Sequence, residues 1–474
     1  MKKKFLLQLA GCCGFLYALF TTNVVFGQNA KERLPNIVFI IVDDLGWRDA
    51  GYKGNKYFET SNIDKLSTEG MVFNFAYSNA PNCAPTRAAL MSGEYAPRTG
   101  IYTVGTSERG DAKNRKLIPV VNKTVLAANE YTLPEALKAR GYVTGMFGKW
   151  HLGDSTGTSP EGQGFDVNVG GGMAGSPESY FSPYHNPQIK DGKGGEELTE
   201  RLTSEAISFV DQNKKRPFFL YLPFYAVHVP LQSTPDLIAK YTAKPTTEER
   251  HKPAYAAMIE TVDTQIGRLL AHLKENGLTE NTIIVFTSDN GGFWGSTSTT
   301  PLRGSKGMVY EGGIRIPLIV KWPGKVQPGS ISNEPVLSMD FYPTFLAITG
   351  AKAPAGKILD GENILPVLTQ SGSLTNRNLY WHVPVYLEAP KGMNQIWRQT
   401  PASVVRKGDW KLIETFEDNT IELYYLKEDE YEQHNLADTY PDKAKELLND
   451  LQQWRKNLNA FVPSRQNPQY QPKN

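Results

Sequence analysis

Cysteine is scarce in this sequence, with three residues in 474, and two of them, Cys12 and Cys13, lie close to the N-terminus. Both fall in a segment that we expect to be removed, which leaves Cys83 alone. A chain with a single cysteine cannot form an internal disulfide, so a disulfide-stabilised fold is excluded. The remaining thiol is therefore either idle or chemically employed.

A large charge of either sign is also missing. The sequence has 51 lysine and arginine residues against 49 aspartate and glutamate residues, a formal charge of +2. Without Lys2, Lys3 and Lys4 of the N-terminal segment, 48 basic residues face 49 acidic ones, a net charge of −1. A protein that binds the nucleic-acid backbone normally carries a basic excess, so nucleic acid is not the expected partner.

Long apolar runs are confined to the N-terminus. Basic residues, an apolar core over residues 5–20 and a small residue at position 27 predict a cleaved secretory signal over residues 1–27. Leu9-Ala10-Gly11-Cys12 resembles a lipobox, so anchoring at Cys12 is an alternative, although the apolar stretch before it is short. No later stretch approaches the roughly 20 apolar residues of a membrane span. We expect an exported protein, periplasmic or secreted, with no transmembrane segment after cleavage.

Oxygen-bearing side chains follow two of the predicted buried strands. Residues 37–42 form a continuous apolar run that ends in Asp43-Asp44, and residues 282–288 form another that leads into Asp289-Asn290. Continuous β-branched runs are typical of parallel strands covered on both faces, and ligands bind at the carboxyl ends of such strands. Either pair alone could be a solvated turn. Together they predict a site for Ca²⁺ or Mg²⁺, which prefer oxygen ligands.

Cys83 lies where a turn is expected to lead into a helix. Pro85 restricts the backbone after it, and the N–H groups at a helix start favour anions. A lone cysteine is more often a small buried apolar residue. The local sequence, Asn82-Cys83-Ala84-Pro85-Thr86-Arg87, nevertheless places a reactive side chain and an arginine together.

Lysine and histidine residues occur in loops after other predicted strands. Lys149 and His151 follow the strand at residues 142–147 in a glycine-flanked segment. His228 lies beyond the strand at residues 217–222, and Lys306 lies in a glycine-containing loop. Each feature alone is common on protein surfaces.

The order of predicted elements indicates the fold class. Helices alternate with buried strands up to about residue 370, which predicts an α/β fold with a large, mainly parallel sheet between helices. Short strands joined by turns and a final helix at residues 441–458 predict a small C-terminal subdomain with an antiparallel sheet. We expect a main domain at residues 28–370 and a small C-terminal subdomain at residues 371–474 packed on it.

The segment Cys83-Ala84-Pro85-Thr86-Arg87, followed by Leu90-Met91-Ser92-Gly93, resembles the C-x-P-x-R signature of the type I sulfatases. Further matches occur in the family's order at Asp43-Asp44, residues 148–153, residues 228–230, residues 288–291 and Lys306. The resemblance covers nearly the whole mature chain. It implies an alkaline-phosphatase-like fold, hydrolysis of sulfate monoesters, one bound Ca²⁺, and conversion of Cys83 to formylglycine by a maturation enzyme.

The resemblance also implies roles for individual residues. The Ca²⁺ ligands implied are Asp43, Asp44, Asp289, Asn290 and the modified residue 83. Lys149 and Lys306 would neutralise sulfate oxygens, and His228 would protonate the leaving oxygen as general acid. Arg87 and His151 would orient the hydroxyls of the modified residue 83.

The substrate implied by the resemblance is a sulfated saccharide. The stretch Tyr380-Trp381-His382 is similar to segments of carbohydrate sulfatases, and we expect Arg303, Trp381 and His382 to line the mouth of the pocket.

Two other functions remain open at this point. A phosphate monoester, phosphate diester or phosphonate hydrolase shares the alkaline-phosphatase-like fold, but it usually has serine or threonine as nucleophile and two metal ions. An inactive glycan-binding protein would result if Cys83 is never converted.

Overall fold

A mixed sheet of eight strands occupies the centre of the computed structural model, which describes residues 33–248, 250–374 and 377–472. The expected signal segment at residues 1–27 lies outside the described residues. The strands are β1 (Asn36–Val42), β2 (Met71–Phe73), β3 (Ala76–Tyr77), β4 (Val143–Phe147), β5 (Val167–Val169), β6 (Phe218–Pro223), β7 (Thr282–Ser288), β8 (Leu318–Lys321), β9 (Ser330–Ser332), β10 (Val336–Leu337), β11 (Asn378–Val383), β12 (Leu387–Glu388), β13 (Trp397–Gln399), β14 (Ala402–Lys407), β15 (Trp410–Thr415) and β16 (Thr420–Tyr425).

Most of the helices alternate with these strands along the chain. They are α1 (Ser61–Glu69), α2 (Cys83–Ser92), α3 (Ala96–Thr99), α4 (Leu133–Ala139), α5 (Leu198–Asn213), α6 (Pro235–Ala243), α7 (Pro253–Glu275), α8 (Glu311–Ile314), α9 (Phe341–Thr349), α10 (Leu365–Leu368) and α11 (Pro441–Asn457). Helix α4 begins at a capping box, in which the Glu135 carboxylate accepts a 2.8 Å hydrogen bond from the Thr132 N–H. Among the described residues, no helix combines the length and hydrophobicity needed to span a bilayer.

The strand order of the central sheet is β5-β4-β6-β1-β7-β8-β2-β9. Strands β4, β6, β1 and β7 are adjacent and parallel, whereas β8 runs antiparallel to β7 and to β2. The expected large, mainly parallel sheet is therefore confirmed. Because neighbouring parallel strands end at the same edge, the loops after β4, β6, β1 and β7 meet there.

Apolar side chains cover both faces of the sheet. In β1, Val38, Ile40 and Val42 pack on one face with helices α5 and α7, whereas Ile37, Phe39 and Ile41 pack on the other with helices α2, α4 and α9. This two-sided burial is the reason that the strand is a continuous apolar run rather than an alternating one.

The C-terminal region contains the expected antiparallel sheet, in the order β11-β14-β15-β16, with α11 packed against β14 and β15. A separate two-stranded ribbon joins β12 and β13. Residues 34–474 form one compact unit, so this sheet and ribbon pack with the central sheet instead of forming an independent body.

Candidate active site

Four oxygen-bearing side chains lie together at the carboxyl ends of β1 and β7. The strands pair in register, with Val42 opposite Ser288, so the residues that follow them are neighbours. The Asn290 side-chain amide donates to Asp44 Oδ1 at 2.8 Å, and the Asp44 N–H donates to Asp289 Oδ1 at 3.3 Å. These residues and Asp43 are buried, and Asp44 has a left-handed backbone conformation with φ of 62°. Such strain in a residue other than glycine is concentrated at functional sites.

Two atoms of this cluster lack a hydrogen-bond donor. Asp43 Oδ1 and Asn290 Oδ1 are buried and have no partner among the described residues. Burial raises the pKa of Asp43 to about 7, and repulsion from the Asp289 carboxylate adds to the shift. One ligand atom each from Asp43, Cys83 and Asp289 lies within 4.8 Å of the others. Unpaired oxygens among crowded carboxylates fit a hard divalent cation such as Ca²⁺, which would satisfy the oxygens and offset the repulsion.

Cys83 is the first residue of α2 and is almost completely buried. Its Sγ lies 3.6 Å from His151 Nδ1. Thr86 holds the turn before the helix, because its hydroxyl donates to the carbonyl oxygens of Ala80 at 3.0 Å and Asn82 at 3.1 Å. The side chain of residue 83 is thereby directed to a defined position next to an imidazole.

Arg87 lies one turn further along α2 and ties the strand ends to the next loop. Its Nε and Nη2 donate to Asp289 Oδ2 at 2.9 and 2.8 Å, and its Nη1 donates to the Lys149 carbonyl oxygen at 2.6 Å. Nη2 also lies 3.6 Å from Asp43 Oδ2. Within the described part of the chain, Arg87 makes no hydrogen bond to Cys83, so its direct contacts are with the carboxylates and the loop backbone.

Two lysine ammonium groups face these carboxylates. Lys149 Nζ pairs with Asp43, and Lys306 Nζ pairs with Asp44 at 2.7 Å. Burial opposes ionisation of Asp44, yet the charge of Lys306 lowers the pKa of that carboxyl well below its usual value. Gly148 positions Lys149: its φ is +133°, and a Cβ there would lie 2.0 Å from the Pro223 carbonyl oxygen.

Two histidine side chains complete the group. His228 Nδ1 lies 2.8 Å from the Val229 carbonyl oxygen, so Nδ1 carries a proton and Nε2 is left 3.7 Å from Asp44 Oδ2. Burial lowers the pKa of His228 to about 3, and the charge of Lys306 contributes. Burial and the charge of Lys149 also lower the pKa of His151 well below its usual value. These shifts favour the neutral form of both rings in the substrate-free protein.

A cavity of about 420 Å³ opens onto this cluster. Its volume lies within the range of small-molecule sites. It is lined by Asp44, Asn82, Cys83, Val104, Arg109, His151, Gly175, Ser176, His228, Val229, Phe293, Lys306 and Arg398. The cavity therefore gives a ligand access to residue 83, to Lys306 and to both histidines at once.

Trp381 and His382 were expected to line the mouth of the pocket. This prediction is wrong, because both side chains are buried and neither lines the cavity. Trp381 Nε1 donates to the Ser78 carbonyl oxygen at 2.8 Å. His382 contacts Ser403 Oγ at 2.6 Å and the Phe461 carbonyl oxygen at 2.9 Å. Both rings therefore belong to the packing of β11 against its neighbours and not to the cavity wall.

Arg303 lies in an adjoining cavity of about 470 Å³ and not in the one that contains Cys83. Its guanidinium stacks on Tyr310 at 3.9 Å and donates to the Tyr424 hydroxyl at 2.8 Å. The C-terminal region instead reaches the Cys83 cavity through Arg398 on β13, which lines both cavities.

Arg109 and Arg398 line the cavity, but the sequence did not identify either of them as a site residue. Arg109 lies in the loop between α3 and α4, and Arg398 lies on a short strand near the other end of the chain. Neither belongs to a motif or follows a buried strand, so no local signal could have identified them.

A buried carboxylate cluster paired with two lysines, beside a cavity lined by Cys83 and Lys306, suits a hydrolase of anionic esters. Comparisons with known proteins identify the ester. The family described as Sulfatase matches residues 35–351, and the one described as N-sulphoglucosamine sulphohydrolase, C-terminal, matches residues 305–459. The chain belongs to the sulfatase family and is a sulfuric ester hydrolase with the fold of the alkaline phosphatase superfamily.

Three similar proteins illustrate the relationship. A sulfatase of Formosa agariphila is 35% identical, with 94% of this chain and 93% of that protein covered. The human N-acetylgalactosamine-6-sulfatase is 33% identical, with 75% and 70% covered. The crystal structure of Ps i-CgsB in complex with k-i-k-neocarrahexaose has a TM-score of 0.75 and 30% identity, with 91% and 95% covered.

Proposed function

We propose that this sulfatase hydrolyses sulfate monoesters of a carbohydrate, with residue 83 in the formylglycine form and one Ca²⁺ at the carboxylate cluster. The observation that carries the proposal is the position of Cys83. Its side chain lies at the cavity wall, 3.6 Å from His151 and beside buried oxygen atoms that have no hydrogen-bond donor.

The cationic side chains of the site offset the negative charge of the substrate. A sulfate monoester is an anion, and attack on it by an electron-rich nucleophile is resisted until positive groups offset the charge. Preorganised charges in a water-poor site are usually the largest catalytic contribution. We assign Lys149 and Lys306 to the sulfate oxygens, because both ammonium groups are buried beside the cluster and Lys306 lines the cavity.

Residue 83 is assigned the role of nucleophile. The formylglycine hydrate supplies a hydroxyl for attack on sulfur and a second hydroxyl on the same carbon for the release of sulfate. His151 would orient those hydroxyls through Nδ1, which is the ring atom nearest to Cys83. Arg87 would act less directly than the sequence resemblance implies, by fixing Asp289 and the loop that carries Lys149.

The metal ion would be held by Asp43, Asp44, Asp289 and Asn290, together with residue 83. A divalent cation there would act as a Lewis acid and withdraw negative charge from the sulfate oxygens, which would reduce their repulsion of the nucleophile. The buried, unpartnered oxygens of Asp43 and Asn290 support this assignment.

His228 is the proposed general acid for the departing sugar oxygen. Its Nδ1 is held by the Val229 carbonyl oxygen, so Nε2 is the atom that is available on the cavity side. Burial holds the pKa of His228 below its ordinary value in the substrate-free protein. A bound sulfate ester brings negative charge close to the ring, which favours its protonated form.

Replacing His228 with alanine should lower kcat by about two to four orders of magnitude and leave KM nearly unchanged, because a proton donor acts in the transition state. Steady-state release of sulfate measures both constants. The matched control is His272→Ala on α7, where the half-buried ring contacts Asp211 and Asn276. A normal kcat in His228→Ala would assign the acid to another group.

Removal of Ca²⁺ should destabilise the protein. Binding to the folded state alone contributes about 2.7 kcal/mol when free Ca²⁺ is 100 times its Kd. The free energy of unfolding in EDTA and in Ca²⁺ measures this gain, and Asp43→Asn should reduce it while the surface control Asp211→Asn keeps it. Elemental analysis should find one calcium per chain. Two zinc ions per chain would contradict the proposal and favour the phosphate or phosphonate hydrolase.

The carbohydrate class of the substrate rests on the similar proteins. One is named for a sulfated N-acetylgalactosamine, and another was solved with an oligosaccharide, k-i-k-neocarrahexaose. A panel of sulfated mono- and disaccharides, assayed for free sulfate, tests this class and identifies the sugar and the ester position. Hydrolysis of simple aryl sulfates alone would contradict it.

Maturation and export belong to the same proposal. We infer a signal peptide at residues 1–27, a catalytic domain at residues 28–370, a C-terminal subdomain at residues 371–474 and a formylglycine-generating partner enzyme. N-terminal sequencing of the exported protein distinguishes cleavage after residue 27 from lipid anchoring at Cys12.

A further inference from the structure

Two arginine side chains line the Cys83 cavity and are not explained by the chemistry above. Arg109 comes from the loop after α3, and Arg398 comes from β13 of the C-terminal ribbon. The Arg398 guanidinium lies on the backbone next to Lys306, because a Cβ at Gly307 would be 2.4 Å from Arg398 Nε. Arg398 is thus beside the proposed sulfate-binding lysine but belongs to a different part of the chain.

The protein compensates the charges of these two arginines only in part: the Glu388 carboxylate attracts both, and the Asp44 carboxylate attracts Arg398. Lys306, which also lines the cavity, is paired with Asp44 at 2.7 Å. In the described part of the chain, neither Arg109 nor Arg398 forms an ion pair, and Arg109 donates only to the Val104 carbonyl oxygen. Glu388, an acid near both, is exposed on β12.

This arrangement is unfavourable without a ligand. Arg398 Nε is buried and has no hydrogen-bond partner among the described residues. Burial, together with the charge of Arg109, lowers the pKa of Arg398 to about 10. Burial also lowers the pKa of Arg109. Two partly desolvated like charges in contact with a cavity cost free energy, which a bound anion would recover.

We propose that Arg109 and Arg398 bind a second anionic group of the substrate, separate from the sulfate ester that is cleaved. The group is an oxyanion carried by the saccharide, either another sulfate ester or a carboxylate, since guanidinium groups bind both through paired N–H donors. The inference rests on the proposed function and narrows it: the preferred substrate is a saccharide with at least two negative charges.

The position of Arg398 makes this second group a determinant of specificity. It lies between the Cys83 cavity and the adjoining cavity, so an anion held there would orient the sugar relative to residue 83. The contact between this anion and the arginines would be made both in the bound substrate and in the transition state. It should therefore change KM more than kcat. Phe293 and Val104 are apolar and offer the same anion no alternative partner.

The test measures binding with Cys83→Ala, a variant that cannot turn over substrate. Calorimetry compares three probes: a monosaccharide with one sulfate ester, the same sugar with two sulfate esters, and a disaccharide of the singly sulfated sugar with a uronic acid. We expect a charged second group to tighten binding about 10- to 100-fold. Arg398→Gln and Arg109→Gln in this background should each remove most of that gain, whereas Arg268→Gln on the surface of α7 should keep it.

The result that overturns the inference is equal affinity for the three probes, or a gain that persists in Arg398→Gln. If only one charged probe gains affinity, the second group is identified as sulfate or carboxylate. Kinetics on the Cys83 protein should place the arginine effects in KM. Absence of sulfate release from every ester would refute the proposed function, while the binding preference would still be measured.

Discussion

Replacing Cys83 with alanine is expected to reduce sulfate release by more than about five orders of magnitude, because the reaction then has no nucleophile at residue 83. The fold should persist. Among the described residues, the polar contact of the Cys83 side chain is with His151 Nδ1 at 3.6 Å, and truncation of this small buried side chain should lower the free energy of unfolding by about 1 kcal/mol. The lost activity would therefore report chemistry and not unfolding.

Three measurements make this result decisive. Mass spectrometry of the peptide around residue 83 should show that the sulfur has been removed in the unaltered protein from its native host. Thermal unfolding should show that Cys83→Ala remains folded, with Thr264→Ala on the surface of α7 as a control for both activity and stability. Sulfate release by Cys83→Ala above about one thousandth of the normal rate would contradict the assignment. An intact thiol in the native protein would instead support an inactive glycan-binding protein.

Replacing Asp289 with alanine should have the second large effect, with sulfate release lowered by more than about four orders of magnitude. The carboxylate accepts two hydrogen bonds from Arg87 and one from the Asp44 N–H, and it is a proposed Ca²⁺ ligand. Its loss leaves the Arg87 guanidinium buried without its main partner. Breaking a buried pair costs about 3–5 kcal/mol, and we expect the lower end because repulsion on Asp43 is relieved.

Different measurements separate the effect of Asp289→Ala on stability from its effect on metal binding. Urea unfolding in EDTA measures the loss of the contact with Arg87, and calcium per chain measures the metal site. Asp289→Asn keeps the size of the side chain and should remain more stable than Asp289→Ala while binding Ca²⁺ weakly. The control is the surface variant Asp211→Ala. Normal calcium content and normal activity in Asp289→Ala would exclude this residue from the site.

The strand order of the sheet explains why chemically different groups meet at one place. The adjacent parallel strands β4, β6, β1 and β7 end at the same edge. Lys149 follows β4, His228 follows β6, Asp43 follows β1 and Asp289 follows β7. Helix α2 then brings residue 83 to this edge. The walls of the cavity are supplied by loops and by the C-terminal ribbon.

Local sequence was sufficient for the fold and for the residues at the strand ends. Continuous apolar runs identify strands covered on both faces, and the polar residues directly after such runs must lie at the carboxyl edge of a parallel sheet. This reasoning applies to Asp43, Asp44, Asp289 and Asn290. The order of the motifs around Cys83 was sufficient to indicate the sulfatase family, which the comparisons confirm.

The substrate-facing side of the cavity was decided only by tertiary structure. Trp381 and His382 lie in a stretch that resembles carbohydrate sulfatases, yet the packing of β11 buries both rings. Arg109 and Arg398 carry no local signal, and they meet because the C-terminal ribbon folds back over the loop after α3. The spacing of apolar residues in a sequence indicates which side chains a strand buries. The neighbours of an arginine in a loop or short strand depend instead on contacts between segments that are distant in the chain. For that reason the sequence alone indicated the sulfatase family, and the folded chain determined which side chains line the cavity.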